Sequence, residues 1–184
     1  MTMKPTTEDL LTLGDFQRTN MWELSMTKKP VGLTLDQAGF NIRVRSSGIP
    51  RYTQSAIEVY VRSNRMYDTN VMYPEGTITF SFIEHVEAPI RRFIFEWEDA
   101  IRTRAGSGVP GQRGLSLRDL TADFVLKTLD NHENANVQYT LGYCFLEESN
   151  LGELAGTEAG ATLMFPEITI KYNLLDRVIL NGVT

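Results

Sequence analysis

Along this chain apolar and polar residues alternate in short runs broken by polar or glycine-bearing stretches, the period-two signature of half-buried β-strands. The longest such region runs from Phe40 to Arg62. There Phe40, Ile42 and Val44 alternate with Asn41, Arg43 and Arg45, and Ile57, Val59 and Val61 alternate with Glu58, Tyr60 and Arg62. The spacing predicts one hairpin, each arm wet on one face only, joined by an eleven-residue loop from Ser46 to Ala56. That loop is too long for a two-residue turn, and Gly48, Pro50 and its serines suit a projecting excursion. A long loop on a rigid hairpin that exposes Ile49 and Tyr52 points to contact with a partner.

Other runs have the same period. Trp22, Leu24 and Met26 alternate with Met21, Glu23 and Ser25, which predicts a first strand with Trp22 in the core. Asn64 to Gly76 reads as a polar connection, and Thr77 to Phe82 as a strand with Ile78, Phe80 and Phe82 on one face. Thr121–Leu129 and Val137–Phe145 form two strands around an Asn-rich turn, the second placing Val137, Tyr139, Leu141, Tyr143 and Phe145 on one side. An acidic loop starting at Glu147 leads to a last strand with Ile168, Ile170 and Tyr172 on one face. One segment changes period. From Pro89, suited to a first helical position, Ile90, Phe93, Ile94, Trp97 and Ile101 repeat at helical spacing, a stripe that belongs against a core. The sum is a mainly β chain, a sandwich or barrel of six or so mostly antiparallel strands with one flanking α-helix. A single domain spans 1–184, with an N-terminal extension at 1–13 and a Gly-rich surface loop at Gly106–Gly114.

Composition narrows the function classes. At 184 residues the chain can bury a substantial core without disulfides or metals. A net charge of −5 argues against a general nucleic-acid binder. The charge is uneven: Phe40–Arg65 holds five arginines and one acid, whereas Leu120–Thr184 holds nine acids and three bases, an asymmetry that fits intramolecular packing, contacts between copies, or simply two differently charged solvated faces. No apolar run reaches the roughly eighteen residues of a membrane span, and the first residues lack a signal peptide's apolar region, so a cytosolic or released protein is expected. One cysteine, Cys144, and two histidines, His85 and His132, leave little for catalysis. His85 sits beside Glu84 and Glu87 without a nucleophile, and Cys144 alternates into a strand as a small packing group. The acids Glu96, Glu98 and Asp99, like Glu147 and Glu148, bind a cation only if the fold adds further oxygens. Gly106–Gly114 is not followed by Gly-Lys-Ser/Thr and follows a helix, which excludes a P-loop. No catalytic, cofactor-binding or metal residue is expected. An alternative is a ligand-binding barrel whose cavity is lined by Tyr60, Tyr139 and Tyr143; a hydrolase using His85 is more remote.

The order of short motifs resembles the major tail tube protein of contractile-tailed, T4-like bacteriophages. The residues that carry it are Gly14, Asp15, Phe16, Arg18 and Asn20 before the first strand, Phe93 and Trp97 in the helix, and Asn150, Gly152, Glu153 and Leu154 before the last strand, spanning about Gly14 to Asp176. The resemblance implies a structural protein without a cofactor, forming stacked hexameric rings within a sheath, between baseplate and tail terminator proteins. Its copies would conduct DNA transiently, with no stable membrane association, in a virion tail assembled in the host cytoplasm. A baseplate tube initiator or the tube protein of a related contractile injection system shares that fold. On this reading Asn41, Arg43, Arg45, Glu58, Tyr60 and Arg62 face the channel, and Gly48, Ile49, Pro50, Arg51 and Tyr52 reach the adjacent ring.

Overall fold

The computed structural model describes residues 18–62, 64–104, 116–152 and 164–180. Residues 1–13, the Gly106–Gly114 loop and the motif residues Gly14, Asp15, Phe16, Glu153 and Leu154 lie outside them. The described chain forms nine strands: β1 (Trp22–Lys28), β2 (Val44–Ser47), β3 (Tyr52–Val61), β4 (Asn64–Pro74), β5 (Thr77–Phe82), β6 (Ala122–Leu129), β7 (Ala135–Asn150), β8 (Glu167–Lys171) and β9 (Leu174–Ile179). Two helices, α1 (Gln37–Asn41) and α2 (Pro89–Arg104), and a 3-10 turn at Leu117–Leu120 complete it. The fold is the expected one, antiparallel β throughout its ladders with a long flanking helix.

The sixteen-residue β7 organises the sheets. Its first half lies between β6 and β9 in the series β1-β6-β7-β9, and its second half pairs β8 in the series β7-β8-β5-β2. We call these the first and second sheets. Between the halves, Ala122 faces Cys144 while Phe124 faces Leu141, so one extra residue bulges out of β7, and Tyr143 takes a φ of 53°. The Asp123 carboxylate accepts the Tyr143 amide at 2.8 Å and holds the bulge. Opposite it the β8–β9 segment bends at Tyr172–Asn173 without losing register: Phe145 faces Lys171 and Gly142 faces Leu174. A bulge bends its strand and increases local twist, and here it folds one sheet over the other. It also breaks the expected alternation: Tyr143 is exposed, whereas Leu141 and Cys144 are both buried.

The apolar faces of the two sheets meet. Phe80 of β5 stands 5.3 Å from Phe124 of β6, and Phe40 of α1 touches Phe82, Phe93 and Phe124 at 4.9 to 5.7 Å. Helix α2 closes one side with Ile90, Phe93, Ile94 and Trp97 fully buried, and the Trp97 indole donates to the Leu120 carbonyl at 2.9 Å. Ala88 has no capping oxygen, so the Glu84 carboxylate accepts from the amides of Ile90 and Arg91, at 3.3 and 2.9 Å.

The Phe40–Arg62 hairpin does not form. Phe40 and Asn41 end α1, because Asp36 caps that turn through the Gly39 amide and draws Phe40 into the core. Val44–Ser47 instead pairs β5, and Ile57–Val61 pairs β4 in a separate hairpin. The Ser46–Ala56 loop shrinks accordingly, since Ser46 and Ser47 belong to β2 and Tyr52–Ala56 to β3. Asn64–Pro74 is a strand rather than a connection, and β7 runs on through Glu147 and Glu148, where a loop was expected.

Candidate assembly surfaces

The hairpin β3–β4 is a two-stranded sheet of its own, ten residues against eleven. At about 3.4 Å per residue it extends roughly 35 Å. Cross-strand partners put Ile57, Val59 and Met66 on one face, and Glu58, Tyr60, Arg65 and Tyr67 on the other. The two faces sort as the alternation predicts, yet both are wet: Ile57 is 46% exposed, Met66 55%, Tyr60 68% and Tyr67 60%. The second face is internally tied. Glu58 pairs with Arg65 and accepts from the Tyr60 hydroxyl at 2.8 Å, which raises the Tyr60 pKa, while the Arg65 guanidinium lies 4.8 Å over Tyr67.

The hairpin is held at its root. Arg51 pairs with Glu75, the Glu75 amide donates to the Arg51 carbonyl at 2.9 Å, and the Tyr52 hydroxyl donates to the Leu175 carbonyl at 2.7 Å. The Arg51 hydrogen bond holds Glu75 below the usual carboxylate range. Of the five residues expected to touch a neighbouring ring, Gly48, Ile49 and Arg51 are exposed, Pro50 is buried and Tyr52 is half-buried. An isolated two-stranded ribbon is marginal in water, and this one exposes apolar residues on both faces, a candidate contact surface.

The first sheet offers the other surface. Its wet face presents two complete cross-strand rows, Ser25–Val125–Thr140–Asp176 and Glu23–Lys127–Gln138–Val178, while Leu24, Met26, Phe124, Leu126, Leu141 and Leu175 fill the core face. Both outer strands, β1 and β9, are sheet edges. Exposed sheet edges invite pairing with another chain.

The six residues expected to face a channel fall into two groups. Asn41 accepts the Met26 amide at 2.8 Å, Arg43 donates to the Gly39 carbonyl, and Arg45 stacks 3.8 Å from the Phe165 ring. Glu58, Tyr60 and Arg62 lie on or at the turn of the separate hairpin, where Arg62 has a φ of 48°. The residues weighed for other chemistry are likewise scattered. Tyr60 is on the hairpin, whereas Tyr139 and Tyr143 are on β7 and turn to different faces across the bulge. His85 is exposed, and its neighbour Glu84 is engaged by α2 and Arg91. Burial drives the Cys144 thiol far above its ordinary pKa, with the Asp123 charge adding to the shift. Among the described residues no group of three or more His, Cys, Asp or Glu is placed to hold a metal ion, and no helix is long and apolar enough to cross a membrane.

No family model and no curated protein matches the sequence. Solved structures share the fold. A chain of the PVC extracellular contractile injection system's sheath–tube complex in the extended state aligns with a TM-score of 0.60 and 11% identity, over 95% of this chain and 99% of that one. A chain of the anti-feeding prophage tube-terminating cap aligns at 0.60 and 12%, over 92% and 99%. A chain of the anti-feeding prophage baseplate aligns at 0.57 and 8%, over 92% and 99%. At these identities the likeness is one of fold.

Proposed function

We propose that this chain is the tube subunit of a contractile tail or injection apparatus, closing into hexameric rings through its first sheet and stacking them through its hairpin. The observation that carries the reading is strand parity. The first sheet has four antiparallel strands, so its edges β1 and β9 run in opposite directions. A copy rotated about a common axis therefore presents β9 to the next copy's β1 antiparallel, and the sheet continues around a ring. Six copies supply about 24 strands, which at ~4.8 Å spacing and ~40° tilt enclose a channel of order 45 Å between backbones. The core face is covered by the second sheet and α2, so the wet face becomes the wall. That wall carries Glu23, Asp123 and Asp176 against two bases, Lys127 and, opposite Asp123, Lys28, a net −1 per copy. An acidic wall lets a polyanion pass without adhering. We accordingly place the channel on this face and not on Asn41, Arg43 and Arg45. A sheath would surround the outer surface, with baseplate and terminator at the two ends. The proteins sharing the fold come from sheath–tube, cap and baseplate structures, which supports this role.

Purified protein, alone or seeded with baseplate, should yield rings or tubes with a central channel in negative-stain electron microscopy. A strict monomer at high concentration under every seeding condition would sink the proposal.

A further inference from the structure

The edge of β1 is not uniformly open. The Met21 carbonyl accepts from the Leu129 amide and so faces β6, which turns the backbone groups of Trp22, Leu24 and Met26 away from it. Two of these outward positions are already occupied by α1. The Met26 amide donates to Asn41 Oδ1 at 2.8 Å, and the Thr27 carbonyl, turned out by the bulge between Met26 and Lys28, accepts from Gln37 Nε2 at 2.7 Å. Trp22 and Leu24 instead face a groove of about 560 Å³ shared with Asn41, Ile42, Val44 and Arg45.

We propose that α1 is a register stop: it confines an incoming strand to Trp22–Ser25, and that strand is β9 of a second copy. The proposal rests on ring closure through the first sheet. Strand direction favours this occupant, since β9 is the free edge that runs antiparallel to β1 in the same sheet. Pairing would also cover Leu174, Val178 and Ile179, all exposed on β9. A stop matters because a slip of two residues preserves which face is wet, so the core cannot forbid it. Such a slip displaces each copy by about 7 Å and changes the stagger that lets a closed barrel form.

The test is Asn41→Ala with Gln37→Ala in the full chain, assembled under conditions in which the unmodified protein forms rings, and measured by native mass spectrometry and electron microscopy. The double variant is expected to give several ring sizes or open, lock-washer assemblies; a single ring size identical to that of the parent overturns the stop. If the double variant does not fold, hydrogen exchange on the parent decides the matter. The Met26 amide should be protected before assembly, and those of Trp22 and Leu24 only after it. Unchanged exchange at Trp22 and Leu24 in the rings refutes the docking strand. Failure of the parent itself to form rings would instead remove the ring reading.

Discussion

Replacing Ile57 and Met66 with serine would strip the aliphatic face of the hairpin without touching the body of the protein. Ile57 is 46% exposed and Met66 55% exposed in the single chain, so about half of each side chain is still available to be buried by a neighbour. Full burial of such a side chain is worth about 1.5–3 kcal/mol, which leaves about 1 kcal/mol each, or ~2 kcal/mol for the pair. At ~1.4 kcal/mol per tenfold, the concentration needed for assembly should rise roughly 30-fold. The thermal midpoint of the monomer should hold steady, because surface substitutions away from packed features stay within about 0.5 kcal/mol. Sedimentation across a dilution series reads the first quantity, and calorimetry the second. Assembly at the parent concentration would refute the hairpin's role as a contact. A clear drop in the monomer's melting temperature would show instead that these side chains pack against the chain's own body.

Trp97→Ala empties the centre of the α2 stripe and orphans the Leu120 carbonyl, so chemical denaturation should show a loss of about 3–5 kcal/mol; a loss under 1 kcal/mol contradicts the packing described. Glu84→Ala removes the acceptor of two α2 amides and leaves Arg91 half-buried without its ion pair, with an expected cost of about 2 kcal/mol by the same measurement. Tyr52→Phe keeps the ring but loses the bond to Leu175, and amide exchange should accelerate along β3 and β4 while the core amides keep their protection. The carboxylates of Glu75, Asp119 and Asp130 are all held below their ordinary pKa, chiefly by hydrogen bonds from Arg51, Ser116 and the Asn134 amide respectively. Groups with depressed folded-state pKa values stabilise above the unfolded value and lose that contribution as pH falls through the folded one. Melting temperature should therefore decline as pH is lowered below about 4, and a rise there would contradict these bonds.

Periodicity made most of this fold readable, and its failures have a common physical cause. The α2 stripe, β5 and β8 each bury one face against a single core, so a local period reports their environment faithfully. Pairing partners are not encoded locally. Val44 and Ile57 carry the same alternation whether they join one another or, as the structure has it, Phe82 and Asp68. The polar segment Asn64–Pro74 is a strand because its pairing groups are satisfied by β3, while Met66, Tyr67, Met72 and Tyr73 stay exposed, so hydropathy gave no sign of it. At Phe40 a capped turn overrode the alternation, and at Tyr143 a bulge inverted it. Edges follow the same rule. Nothing in the alternation of β1 distinguishes Leu24 from Met26, yet one backbone faces a groove while the other is taken by Asn41, a residue whose polarity had suggested a channel. A side chain spent on a backbone edge looks, in sequence, like a side chain offered to solvent. On the proposed ring, that difference would decide which residues line the channel and which determine how the ring closes.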